Sequence, residues 1–173
     1  MTWIQTWSGR AFDFANPDPD SVDIADIASH LSKLCRFAGA THTFYSVAEH
    51  SVYVSRMVPR EFALQGLLHD ATEAYVVDMP KPLKDMLPDY RMAEQRAWGA
   101  VAGHFGLPLE LDDSVKDADL RMLLAERDQL LVKPPIPWTW AQGIEPAKFT
   151  IRCHVPPTAK LAFLDRFYEL TRN

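Results

Sequence analysis

The sequence predicts an all-α fold, one helical bundle with a small β-hairpin at its N-terminus. Three observations lead there. Apolar residues recur at helical spacing in segment after segment. Loose alternation is confined to the opening "WIQTWSGRAFDF". Glycine, proline and capping residues punctuate the helical segments at lengths that suit the helices of one domain.

The opening stretch turns at Ser8-Gly9, which suggests a short hairpin. "NPDPDS" is a turn cluster. From Asp23 to Phe37 the residues Ile24, Ile27, Ala28, Leu31 and Leu34 fit one helix face, and Gly39 ends the segment. His30 falls off that stripe and is expected at the surface. Ser46 followed by Glu49 is a capping-box pattern, so a helix should run from Val47 to Met57. After Pro59, one buried helix is expected over Glu61 to Val77, with Pro80 and Pro82 stiffening the loop that follows. Further helices are expected over Asp89 to Phe105, stopped by Gly106 and Pro108, and over Asp112 to Val132. Residues 133–157 hold six prolines and two tryptophans, a length that implies a packed irregular arm or a lid. Thr158 to Thr171 reads as a closing helix.

The 173 residues suit a single domain with a real core, and 47% hydrophobic with 24% charged is ordinary for a globular protein. The net charge of −5 and the lack of a basic tract argue against a polymeric nucleic acid as partner. No apolar run approaches a bilayer-spanning length, so no membrane partner is expected. Cys35 and Cys153 form no C-x-x-C pair and no disulfide framework, and no secretory signal is visible. A cytoplasmic location follows as the expectation.

The chemistry concentrates in "GLLHDATEAY". On a continuous helix His69 and Asp70 would be neighbours around the axis, with Glu73 one turn on and between them. Small and apolar neighbours place that point near the core, where carboxylates require a compensating positive charge. A polar surface stripe would be the plainer account of a lone His-Asp pair. His50, mid-helix in "VAEHSVYV", and Asp119, on an apolar face with Val115, Met122 and Leu123, tip the balance. Two imidazoles and two carboxylates could hold one divalent metal ion, and mixed N/O ligation suits Mn, Fe, Co, Ni or Zn better than Ca. Mg is kept among the candidates.

The order His50, His69-Asp70, Asp119 on successive helical segments resembles the signature of the HD-domain metal-dependent phosphohydrolases. "SVAEHS", "HDATEAYVVDMPKPLK" and "VKDAD" look like segments of bacterial 5'-deoxynucleotidases of that superfamily, and Arg36-Phe37 falls where that group has Arg before an aromatic. The hairpin and the proline-rich arm look more like small phage and bacterial deoxynucleoside triphosphate triphosphohydrolases. The resemblance implies that His50, His69, Asp70 and Asp119 bind one divalent metal ion. It implies that Glu73 positions or deprotonates the attacking water. Asp78 would contact the sugar or assist proton transfer, unless it is simply a turn residue before Pro80. Arg36, Phe37, Lys81, Lys84 and Lys116 are the candidate substrate contacts, with His42 at the pocket border. The expected substrate is a deoxynucleotide, either a monophosphate or a triphosphate, and a homo-oligomer is expected by analogy. A cyclic-nucleotide or alarmone hydrolase, or a binding protein with a structural metal, are the competing readings. Trp138 and Trp140 would stack on a base if the arm folds over the site, or else serve as core or interface anchors.

Overall fold

The computed structural model describes residues 1–172, and it is all-α with one two-stranded hairpin. Strands β1 (Trp3–Gln5) and β2 (Ala11–Asp13) pair antiparallel, with Ile4 opposite Phe12. Gly9 takes φ +88 in the connecting turn, where glycine avoids the Cβ penalty. Eight helices follow: α1 (Ile24–Leu31), α2 (Val47–Met57), α3 (Ala63–Leu68), α4 (Glu73–Val76), α5 (Lys81–Lys84), α6 (Pro88–Phe105), α7 (Asp113–Leu130) and α8 (Pro156–Thr171).

Helix α2 has the expected bounds. Ser46 caps it by accepting the Glu49 backbone N–H, 3.2 Å away. It packs against α3, α7 and α8, and it contributes to both apolar clusters of the core. One cluster gathers Phe12, Ile27, Leu31, Leu67, Leu68, Val101 and Phe163. The other joins Tyr45, Val54, Val115, Met122 and Leu130 to Ala147 of the arm. Burying each large side chain stabilises the fold by about 1.5–3 kcal/mol. Helices α6 and α7 also keep close to their expected limits. Gly106, left-handed at φ 66, terminates α6, and Asp112 caps α7 by accepting the Ser114 backbone N–H at 2.8 Å.

Three expectations need correction. The helix from Asp23 stops at Leu31, because the chain then turns to pair Cys35 with Ser46. A tight turn over Arg36–Gly39 follows, with Phe37 and Ala38 left-handed at φ 56 and 50. The single helix over Glu61 to Val77 is broken. Residues 69–72 form a turn, and Ala71, Glu73, Ala74 and Tyr75 each donate to the carbonyl three residues back. His30 is half-buried, with Nδ1 2.6 Å from the Ala74 carbonyl and Nε2 accepting the Trp7 backbone N–H at 3.0 Å, so it ties the hairpin to α4.

The arm over residues 133–155 is irregular apart from a short turn at Thr139–Ala141. Its far end is clamped to the bundle. Glu49 accepts the backbone N–H groups of Arg152, Cys153 and His154 at 3.0, 3.1 and 2.6 Å. That carboxylate was expected to close a capping box and has been taken by the arm instead. Trp138 stacks on Trp140 with centroids 5.5 Å apart and meets Arg127 of α7, while Trp140 stays 59% exposed. Among the described residues no helix is long and apolar enough to cross a membrane.

Candidate functional site

Helices α2 and α7 and the turn between α3 and α4 bring His50, His69 and Asp119 together. Nε2 of His50 lies 3.3 Å from Nε2 of His69 and 3.1 Å from Oδ1 of Asp119. Asp119 Oδ1 is 3.9 Å from the His69 nitrogen. Asp70 joins at the edge, its Oδ2 3.2 Å from His69 Nε2 and 3.7 Å from His50 Nε2. Ligand atoms about 2.1 Å from a common ion stand roughly 3.0–3.4 Å apart at octahedral or tetrahedral angles. The closest donor pairs match that spacing, and the donor set is mixed imidazole and carboxylate. The group could hold a metal ion.

The turn at residues 69–72 is what places two of these groups. Its i to i−3 winding stacks Asp70 and Glu73 nearly one above the other, because residues three apart eclipse at that pitch. Gly66 lets α3 lie close against α2. A Cβ there would stand 3.1 Å from the Ser55 Cα and 3.2 Å from Val58 Cγ2. The Gly66 carbonyl also accepts from His69 Nδ1 at 2.8 Å, which leaves Nε2 as the free donor atom.

His50 is oriented in the same way by a residue outside the expected set. Glu126 is fully buried on α7 and its Oε1 lies 2.6 Å from His50 Nδ1. The same oxygen accepts the Tyr45 hydroxyl at 2.8 Å, and Oε2 accepts Arg36 Nε at 3.1 Å. Glu126 sits seven residues after Asp119, on the same helix face, and that spacing was the only sequence signal for it.

Arg36 is buried. It spans Glu126 and Asp70, the latter through Nη1 at 3.4 Å. Phe37 lies beneath its guanidinium, whose carbon is 5.6 Å from the ring centroid. Burial alone would lower the Arg36 pKa, but the surrounding carboxylates raise it well above normal.

The electrostatics of the ion-free corner follow from crowding. Burial and the Arg36 charge pull the His50 pKa down, yet the Glu126 and Asp119 carboxylates outweigh them and raise it to about 9. His69 is likewise raised, against burial, chiefly by Asp70. Burial works against ionised Asp70, but His69, His50 and Arg36 hold its pKa far below the usual range. Asp119 and Glu126 are lowered too, against burial, by His50 and by Arg36 respectively. Glu73 goes the other way. Burial, then the charges of Asp70 and Asp78, push it well above its ordinary value, and its buried Oε2 has no hydrogen-bond partner among the described residues. Asp78, half-buried after Val77 (φ 66), is raised by burial and by Asp70.

The remaining expected contacts divide. Lys84 is partly buried, is paired with Glu94 at 2.5 Å, and lies within the fields of Glu73 and Asp70. Lys116 borders the corner, lining a cleft of about 740 Å³ with His69, Asp70, Thr72, Trp98 and Leu109, although its ammonium pairs with Asp113 at 2.8 Å. Lys81 is not brought to the site. Its side chain is 83% exposed and pairs with Asp85, one helical turn away. His42 is also elsewhere, exposed and pinning its loop to α7 through Nε2, 2.9 Å from the Gln129 carbonyl.

No protein-family model matches the chain. YfdR, an uncharacterized protein of Escherichia coli K12, is 42% identical over 172 residues, covering 99% of this chain and 97% of YfdR. The chain belongs to the YfdR family. RCAP_rcc00048, an uncharacterized protein of Rhodobacter capsulatus, is 32% identical over 197 residues, covering 99% of this chain and 96% of its own length. These near full-length matches extend across the hairpin, the ion corner and the proline-rich arm.

Proposed function

We propose that this YfdR-family chain is a metal-dependent phosphohydrolase of the HD-domain type that acts on deoxynucleoside phosphates. One observation carries the reading: two histidines and two aspartates converge beside a buried carboxylate, Glu73, that has no partner of its own. A purely structural metal would need no such neighbour. The adjoining cleft of about 740 Å³ falls within the usual size range for small-molecule sites, and Trp98, Leu109 and Leu111 give it an apolar wall.

His50, His69, Asp70 and Asp119 would hold the ion. A divalent cation there acidifies a water molecule and offsets charge on phosphate oxygens. Glu73 takes a proton from the attacking water, a role suited to a carboxyl whose pKa lies well above the ordinary range. The water oxygen bonds to phosphorus, the bond from phosphorus to the sugar oxygen breaks, and the proton passes to the departing oxygen. Arg36 holds Asp70 and adds positive charge beside the ligand set, while Lys84 supplies a cation within the field of Glu73. Asp78, whose charge acts on Glu73, is the candidate for contact with the sugar or for assisting proton transfer. The reading includes monophosphate and triphosphate substrates.

Incubating the protein with dAMP or dATP and Mn, Co or Mg, then separating products by chromatography, tests it. Deoxyadenosine with phosphate identifies the monophosphatase, and deoxyadenosine with triphosphate the triphosphohydrolase. No release from a full deoxynucleotide panel with any of the three ions would refute both.

A further inference from the structure

We propose a second ligand site, a basic cavity that binds a small anion carrying a chain of phosphates, free or as the 5'-triphosphate of a nucleotide. The cavity, about 410 Å³, lies between α2, α8 and residues 148–154 of the arm. None of its lining residues belongs to the ion corner. It does not depend on the proposed hydrolase activity.

Charge carries the first part of the argument. Arg56, Lys148 and Arg152 line the cavity, and among the described residues none of them forms an ion pair. The nearby Arg121 and Arg166 do, with Asp117 and Glu169. Three exposed cations without an ion-pair partner among the described residues thus border one recess in a chain of net charge −5. The one lining carboxylate, Glu49, is 3% exposed, and its oxygens accept three backbone N–H groups. None of the three cations forms an ion pair with it among the described residues.

The second part is rigidity. The segment bearing Lys148 and Arg152 is pinned along its length. Ala147 N–H donates to the Arg121 carbonyl at 2.9 Å, and the Gln129 side chain brackets Phe149 and Ile151 at 2.9 and 3.1 Å. The Tyr53 hydroxyl lies 3.2 Å from both the Thr150 carbonyl and Glu49 Oε1, sharing its one proton between them, and Glu49 closes the row. The backbones of the cationic residues are therefore held in place before a ligand arrives, which lowers the ordering cost of binding. A wall of Tyr53 and Phe149, with ring centroids 5.1 Å apart, limits the recess to a compact guest. Arg groups on such a wall favour forked contacts to phosphate oxygens.

Calorimetric titration of the full chain with sodium tripolyphosphate, in chelator so that the ion corner stays empty of metal, tests the site. The wild type should bind. Lys148→Ala/Arg152→Ala should weaken binding about ten-fold or more, as expected when charge-assisted contacts are removed. Lys81→Ala, which removes an exposed cation elsewhere, should leave it unchanged. Arg152→Lys should retain part of the affinity if the double variant fails through lost charge and not through misfolding. A parallel titration with ATP assigns the source: tighter binding than tripolyphosphate identifies a nucleotide, and equal binding a free phosphate chain. The proposal is overturned if tripolyphosphate does not bind at millimolar concentration, if the double variant binds as wild type does, if Lys81→Ala loses as much, or if only polymeric RNA binds.

Discussion

Oε1 of Glu126 meets Nδ1 of His50 at 2.6 Å, and neither side chain reaches solvent. The contact fixes Nδ1 as the protonated nitrogen and turns Nε2 toward His69 and Asp119. Glu126→Gln should weaken Mn binding about 10–100-fold, the usual cost of removing an outer partner of a ligating histidine. Competition with a chromogenic chelator measures it. Glu126→Leu should be worse, since Arg36 and His50 would lose their fully buried counter-ion and lean on Asp70 and Asp119 alone, at a cost of about 3–5 kcal/mol in denaturant melts.

The ion-free protein should be sensitive to alkali. The folded His50 pKa of about 9 lies above its ordinary 6.5. Its protonated form thus contributes stability that is complete below about pH 6.5 and is lost as pH rises through about 9. Ion binding must expel that proton, so affinity for Mn should climb over the same interval and proton release should accompany binding. Thermal melts of chelated protein across that window, with parallel titrations in weakly buffered solution, check both directions. Equal stability at both ends of the window would contradict the buried charge assignment.

Glu73→Gln separates catalysis from architecture. Hydrolysis should fall about 10²–10⁴-fold, while the ion is retained. The metal-free variant should be more stable than wild type at neutral pH, by about 1 kcal/mol, because a buried carboxyl crowded by Asp70 and Asp78 has been made neutral. A variant that keeps full activity removes Glu73 from the mechanism.

Gly66→Ala should act through two helices at once. The new methyl meets the Ser55 backbone at 3.1 Å, so α3 must shift away from α2. Overpacking of this kind costs about 1–3 kcal/mol. The Gly66 carbonyl would carry His69 with it, so ion affinity should fall as well. Melting temperature and chelator competition report the two effects separately.

Local rules made part of this molecule legible. Ser46 and the apolar spacing after it place α2 to the residue, and Gly106 ends α6 as a left-handed cap does. His50, His69 and Asp119 could be singled out because ionisable groups on apolar faces are rare. The break at residues 69–72 was not legible, since its bonds to the third residue back leave the apolar spacing almost unchanged. Glu126 was hidden in "LLAERD", where it looks like a solvated helix charge, and only the folded neighbours reveal its partners. Lys81 and His42 were even prospects by sequence, whereas the resemblance favoured Lys84 and Arg36. Lys81 and Lys84 share one short helix, and only their folded partners separate them, Asp85 for the first and Glu94 for the second.

Glu49 and His50 are consecutive residues of one buried helix, yet they answer to different parts of the chain. The first moors the extended stretch at Arg152 to His154, and the second faces the ion corner. The proline-rich region is thus tied at its far end to a residue one peptide unit from the His50 imidazole. If the corner binds its ion as proposed, a shift of that tether reaches one ligand through a single amide, while the cleft beside Trp98 is lined by no residue of the arm.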